Sequence, residues 1–148
     1  QLFLGFAFNW GVMLAYAAHM GRVDPAPVVA WLGAIAWTIF YDTIYAHQDA
    51  DDDALIGVKS TARLFGDRSP AILAGFAVLS VAVLALAAGL AGRNQLMAWA
   101  GVAAFGLHLL WQLRNFRPDQ GDVCLRLFRS NRDAGLILAL FLAIAGLA

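Results

Sequence analysis

The chain has 148 residues, of which 61% are hydrophobic and only 14% are charged, and its mean hydropathy is +0.70. A soluble domain of this size needs more charge to cover its surface, so the composition excludes an ordinary soluble protein. The net charge is zero, so no global field attracts nucleic acid, and we expect no nucleic-acid partner. The one cysteine, Cys124, excludes an internal disulfide and is interpreted as a small packing residue. The sequence therefore indicates an integral membrane protein in contact with lipid.

Apolar segments of spanning length predict an all-α, multi-pass transmembrane bundle of about five helices. Residues 1–18, 69–92 and 94–113 carry no Asp, Glu, Lys or Arg. We predict one membrane domain over residues 1–148, with spanning helices at residues 1–20, 27–53, 69–92, 95–113 and 131–148. The sequence opens at Gln1 inside an apolar run, so we expect it to be the C-terminal part of a longer domain.

Three polar side chains interrupt these apolar segments. Asn9 in the first segment either hydrogen-bonds a neighbouring helix, which we favour, or reaches a cavity. Asp42 near the end of the second segment costs about 2.5 to 3.5 kcal/mol at a bilayer centre, so we expect it to face a polar cavity. His108 in the fourth segment is interpreted as a packed or interfacial residue rather than a ligand.

The basic residues are distributed unevenly between the two sides of the predicted bundle. The loops after the second and fourth helices carry eight Lys and Arg, five of them in residues 114–133, whereas the opposite side carries only Arg22 and Arg93. By the positive-inside rule, the loops with eight cations are cytoplasmic. We attribute the arginine loop to topology and anionic lipid, and we expect a bacterial inner membrane.

An acidic stretch follows the second apolar segment, over residues 41–66. It contains the only lysine and five of the ten acidic residues, which are Asp42, Asp49, Asp51, Asp52 and Asp53. If the second helix continues through Asp53, then Asp42, Asp49 and Asp53 fall within an arc of roughly 40°. Asp49 and Asp53 are then about 6 Å apart along the axis and can share a divalent ion, whereas Asp42 lies roughly 10 Å deeper.

The chemistry of this stretch favours a magnesium site, because Mg²⁺ takes one or two carboxylates and keeps positions open for phosphate oxygens. Lys59 and Arg63 are four residues apart and can meet phosphate charge from the other flank. The alternative is an aspartate-rich helix end that caps the next turn. On the helical projection Asp51 faces solvent, and Asp52 either binds a second ion or is exposed.

Longer patterns in the sequence resemble a known family. The central run is YDTIYAHQDADDDALIGVKSTARLFG, and it resembles the second aspartate-rich motif of the UbiA-type prenyltransferase superfamily. The opening LFLGFAFNWGVMLAYAA and the late NRDAGLILAL are similar to the corresponding helices of that family. The similarity is greatest to the branch that prenylates 4-hydroxybenzoate in ubiquinone biosynthesis.

The resemblance implies a transferase that moves a polyprenyl group from an allylic polyprenyl diphosphate to the ring of 4-hydroxybenzoate. In the family, Mg²⁺ held by aspartate-rich motifs binds the diphosphate, and the electrophilic allylic carbon joins the ring beside its hydroxyl group. Matched by position, the residues are Asp49 and Asp53 for the metal, Lys59 and Arg63 for the diphosphate, and Asp42 and Tyr45 as catalytic residues at the reacting end.

The family also has a first motif of the NDxxDxxxD kind, which this sequence lacks. The resemblance therefore implies that the chain is about half of the helical fold, inactive alone, with the N-terminal half of the enzyme as its partner. One competing function is a transporter or channel segment in which Asp42 and the acidic stretch form an ion path. That function predicts charge in more than one spanning helix, and only the second helix is predicted to carry one. Another is a structural membrane module whose acidic loop binds a partner.

Overall fold

The computed structural model describes residues 1–92 and 94–147, apart from the side chains of Asp51, Asp52 and Ala54. Within this part the chain is all-helical, and five stretches are long and apolar enough to cross a membrane, which confirms the predicted multi-pass bundle. The helices are α1 (Leu2–Met20), α2 (Pro25–Ala46), α3 (Ala50–Ile56), α4 (Thr61–Phe65), α5 (Ser69–Ala91), α6 (Gln95–Asn115) and α7 (Gly121–Leu147). Arg93, which entered the count of basic residues, lies outside the described residues.

The turn between α1 and α2 is held by a cluster of side chains at one end of the bundle. Gly21 ends α1 in the left-handed conformation, with φ +67°, and Pro25 begins α2 with a φ suited to a helix start. The Asp24 carboxylate accepts hydrogen bonds from Tyr16 and from Arg22 Nε. Both bonds lower the pKa of Asp24, and the bond from Tyr16 has the larger effect. The carboxylate therefore stays charged and can hold the turn.

Helix α2 is the centre of the bundle, because it packs against α1, α5 and α7. Its contact with α5 is close. A Cβ atom added to Gly33 would lie 2.9 Å from Leu84 Cγ, and Ser80 Oγ donates a 3.0 Å hydrogen bond to the Gly33 carbonyl oxygen. Phe40 and Ile44 on α2 are fully buried in the core. The positions of the other helices are therefore set by α2.

The prediction that the second helix continues to residue 53 is wrong. Helix α2 ends at Ala46, where the N–H groups of His47 and Gln48 form i→i−3 hydrogen bonds that tighten the last turn. A new helix, α3, begins after Asp49. Aspartate is favoured at such an N-cap position, and acidic residues in the first turn complement the helix dipole. The second helix therefore begins at the clustered aspartates, although the Asp49 side chain forms no capping hydrogen bond.

The prediction of a polar loop over residues 114–133 is also wrong, because α7 begins at Gly121. Four residues at helical spacing, Cys124, Leu127, Asn131 and Ala134, are buried. The arginines of this segment lie between them on exposed positions. The arginines of this segment favoured a loop, but they occupy the polar face of an amphipathic helix whose buried face includes Asn131.

We expect Gly101→Ala to lower the free energy of unfolding by about 1–3 kcal/mol, because an added Cβ would lie 2.4 Å from Phe141 Cβ and would push α6 from α7. The matched control is Gly75→Ala, where an added Cβ meets nothing within 4 Å. Thermal unfolding of the purified protein in detergent measures both. Equal melting temperatures for the two variants would contradict the close packing of α6 on α7.

A second prediction concerns His47, which lies just beyond α2. Its Nε2 is 3.0 Å from Ser69 Oγ, and its ring packs edge-on against Phe116. Burial lowers the pKa of His47, although the negative charge of Asp119 opposes the shift. The unfolded chain therefore binds more protons in acid, and stability falls as the pH decreases through about 6.5.

We expect the melting temperature of the wild type to fall between pH 7.5 and pH 5.5 by more than that of His47→Gln, whose amide can still bond Ser69. The same slope in both proteins would show that His47 does not cause the pH dependence.

Candidate functional site

A polar cavity lies beside the acidic stretch at one end of the bundle, and its lining carboxylates are Asp67 and Asp119 rather than Asp49 or Asp53. The cavity has a volume of about 510 Å³ and lies between the end of α2, the start of α3, and the loop before α7. Gly121 at the start of α7 approaches Gln48 so closely that an added Cβ would lie 3.4 Å from the Gln48 carbonyl oxygen. The break between α2 and α3 therefore creates the cavity rather than the continuous carboxylate face expected from the sequence.

Asp49 and Asp53 remain one helical turn apart despite the break. The Asp53 N–H donates a 2.8 Å hydrogen bond to the Asp49 carbonyl oxygen, which is the i→i−4 bond of an α-helix. The Asp49 side chain is exposed and the Asp53 side chain is half-buried. We predicted that Asp51 faces solvent and that Asp52 either binds a second ion or is exposed. Both side chains lie outside the part of the chain that the structure describes.

The donor chemistry of this turn fits a magnesium ion that is shared with a ligand. No three His, Cys, Asp or Glu side chains form a ready cation site in the part of the chain that is described. Asp49 and Asp53 nevertheless offer two carboxylates, and neither forms an ion pair with a described cation. Mg²⁺ takes one or two protein carboxylates and fills its other positions with water and phosphate oxygens. The pair suits such a site but not an all-protein cage.

The two predicted phosphate-binding residues have different environments. The Lys59 side chain is exposed in the connection between α3 and α4. The Arg63 guanidinium, in contrast, donates through Nη1 to the carbonyl oxygens of Val58 and, at 3.1 Å, of Asp53. Arg63 thus braces the chain at the turn that contains Asp53, and its Nε and Nη2 groups form no hydrogen bond with a described residue.

The predicted catalytic residues lie on α2, before the helix break. Asp42 is half-buried and lies beside Gln1 at the start of α1. The Tyr45 ring packs on Phe128 of α7, with ring centroids 4.6 Å apart. Among the described residues, no hydrogen bond or ion pair joins Asp42 or Tyr45 to Asp49 or Asp53. The helix break separates the reacting-end pair from the metal-binding pair.

A second cavity was missed by sequence reasoning. It has a volume of about 330 Å³ and lies between α1, α2 and α7. Its lining residues are Asn9, Trp37, Tyr41, Phe128, Arg129, Asn131 and Arg132. Asn9 also donates a 2.8 Å hydrogen bond to Thr38 Oγ1, which confirms the expected bond to a neighbouring helix. Asn131 is the residue from which the sequence could have indicated this cavity, because it is a polar residue on the buried face of α7.

Asn131 joins α7 to two other helices beside this cavity. Trp37 Nε1 donates a 2.9 Å hydrogen bond to Asn131 Oδ1, and Asn131 exchanges two 3.2 Å hydrogen bonds with the buried Gln112 of α6. These bonds set the register of α7 relative to α2 and α6.

Comparison with known proteins decides the family of this chain. The model of the UbiA prenyltransferase family matches residues 1–142. The chain belongs to the UbiA prenyltransferase family. This UbiA-family chain is 43% identical to the mitochondrial 4-hydroxybenzoate polyprenyltransferase of Rattus norvegicus over 148 residues, and 39% identical to that of Homo sapiens. These matches cover 99% of the chain.

The UbiA-family chain spans only 39% of the rat protein and 40% of the human one. The Arabidopsis thaliana protein of the same name is 41% identical over 139 residues, and the chain covers 34% of it. The names of these relatives place them in mitochondria, whereas we expected a bacterial membrane. No solved structure matches the chain.

We expect Asn131→Leu to lower the free energy of unfolding by about 1–3 kcal/mol, because it leaves Trp37 Nε1 and the Gln112 amide buried without their partner. The matched control is Asn115→Leu, because Asn115 is exposed and its side chain bonds only the Trp111 carbonyl oxygen among the described residues. Thermal unfolding in detergent is the measurement. A destabilisation no greater than that of the control would contradict the buried network.

Proposed function

We propose that the protein transfers a polyprenyl group from an allylic polyprenyl diphosphate to the ring of 4-hydroxybenzoate, as a step in ubiquinone biosynthesis. The observation that carries the proposal is the identity of 39–43% over 99% of the chain to enzymes named for that acceptor. The fold supports it, because an apolar helical bundle with a polar cavity at one end, here called the mouth, suits a lipid tail with a diphosphate head.

The proposed roles follow from the positions of the side chains. Asp49 and Asp53 would hold Mg²⁺, which when bound supplies positive charge to the leaving diphosphate. Lys59 offers an exposed ammonium group to the same phosphate oxygens. Arg63 keeps the Asp53 end of α3 in position through its bond to the Asp53 carbonyl oxygen and presents its remaining N–H groups to the diphosphate.

The bond changes in the proposed reaction balance without an external oxidant or reductant. The bond between the allylic carbon and the diphosphate oxygen breaks, and its electron pair leaves with the diphosphate. A ring carbon beside the hydroxyl group of the acceptor forms the new carbon–carbon bond and loses its proton. Asp42 and Tyr45 lie on the segment of α2 between the mouth and the deeper cavity, so we propose that they contact the reacting end.

An ion path through a transporter or channel was the competing hypothesis. The sequence argument against it, that only the second helix carries membrane charge, stays a prediction, and α7 also carries Arg129, Arg132 and Asp133. Membership of a prenyltransferase family now favours the enzyme instead.

We propose that the acidic mouth faces the positive-inside side of the membrane. The segments at this end carry eight Lys and Arg, against Arg22 and Arg93 at the other end. The asymmetry still satisfies the positive-inside rule.

We expect Asp49→Ala and Asp53→Ala each to reduce prenyl transfer at least about 100-fold, because each removes a group that stabilises the leaving diphosphate. The assay uses membranes that express the full open reading frame, with 4-hydroxybenzoate and a polyprenyl diphosphate, with and without Mg²⁺. Asp122→Asn, an exposed carboxylate in the first turn of α7, is the matched control and should keep full activity. Activity of both alanine variants close to that of the control would refute the metal-binding roles.

A further inference from the structure

Two arginines of α7 line the cavity between α1, α2 and α7. Arg129 and Arg132 flank Asn131, which is hydrogen-bonded to Trp37 of α2. In a helix long and apolar enough to cross a membrane, an arginine normally faces a bundle interior or a water-filled cavity. Two positive groups in the wall of one cavity suit an anionic ligand.

The two guanidinium groups have unused hydrogen-bonding capacity. Arg132 bonds Asp133 through Nε and Nη2, at 2.9 Å each, but its side chain is still 79% exposed. Arg129 is exposed and has neither a hydrogen bond nor an ion pair with any residue in the described ranges. A carboxylate accepts two parallel N–H groups from an arginine, which neither lysine nor a neutral side chain reproduces.

The remaining walls of the cavity select a planar aromatic ring. Trp37, Tyr41 and Phe128 supply aromatic surface, and the Trp37 and Tyr41 rings pack edge-to-face with centroids 5.7 Å apart. Asn131 shapes the wall without binding, because its amide is occupied by Trp37, Gln112 and two backbone carbonyl oxygens. A volume of about 330 Å³ is at the small end for ligand sites, so it suits a single-ring acid rather than a polyprenyl diphosphate.

We propose that Arg129 and Arg132 bind the carboxylate of the aromatic acceptor, with its ring against Trp37 and Tyr41. The inference rests on the proposed function and adds the residues that recognise the acid. From Tyr41, α2 continues through Asp42 and Tyr45 toward the acidic mouth. In this proposal the cavity between α1, α2 and α7 determines acceptor specificity.

The test is steady-state kinetics of the full open reading frame in membranes, with acceptor and donor varied separately. We expect Arg129→Gln and Arg132→Gln each to raise the KM for 4-hydroxybenzoate at least about tenfold and to leave the KM for the polyprenyl diphosphate within about twofold. Arg132→Lys should restore part of the loss. The matched control is Arg126→Gln, an exposed arginine of α7 that lines a different cavity with Trp111 and should leave both constants unchanged.

A second measurement separates failure of this inference from failure of the proposed function. Binding of radiolabelled 4-hydroxybenzoate to the purified full-length protein is measured without donor, for the wild type, the Arg126→Gln control and the double variant Arg129→Gln/Arg132→Gln. Binding that only the double variant loses supports the acceptor site, even if no prenyl transfer is found. Active wild-type protein with binding unchanged in the double variant, or with a raised donor KM instead, overturns it. Matching melting temperatures confirm that the variants are folded.

Discussion

The hydrogen bond from Trp37 to Asn131 is the contact on which the rest of the site depends. It joins α2, the central helix, to α7 across 94 positions of sequence, and Gln112 of α6 completes the buried amide network. A polar bond between helices in lipid is modest in energy but specific in position, because an unpaired polar group there is costly. This bond sets the register of α7 relative to α2. It thereby decides which residues of α7 face α1 and α2.

The bundle has two cavities, one at the end of α2 and one between α1, α2 and α7. At the mouth, the end of α2 and the start of α3 surround a cavity of about 510 Å³ with polar backbone and side chains. In the interior, α1, α2 and α7 enclose about 330 Å³ with aromatic rings and two arginines. Asp42 and Tyr45 lie between the two on α2. In the proposed reaction, the diphosphate would bind at the first cavity and the aromatic acid at the second, with the reacting carbons between them.

Much of the fold was predictable because its signals are local. Long charge-free runs determine α1, α5 and α6, and Gly21 and Gly92 end α1 and α5. The end of α2 was not predictable from periodicity, because an N-cap aspartate and one more helical turn give the same sequence pattern. The arginine cavity was missed for a different reason. Its residues come from three helices, and only the register between α2 and α7 brings them together.

The most direct test is an experimental structure of the full-length protein in lipid, with Mg²⁺, 4-hydroxybenzoate and a non-reactive polyprenyl diphosphate analogue. We expect the diphosphate and metal at the turn that contains Asp49 and Asp53, and the acceptor carboxylate within hydrogen-bond distance of Arg129 or Arg132. Carboxylates of Asp49 and Asp53 that diverge into bulk solvent, or arginines of α7 that face lipid away from the acceptor, would contradict this division of the site.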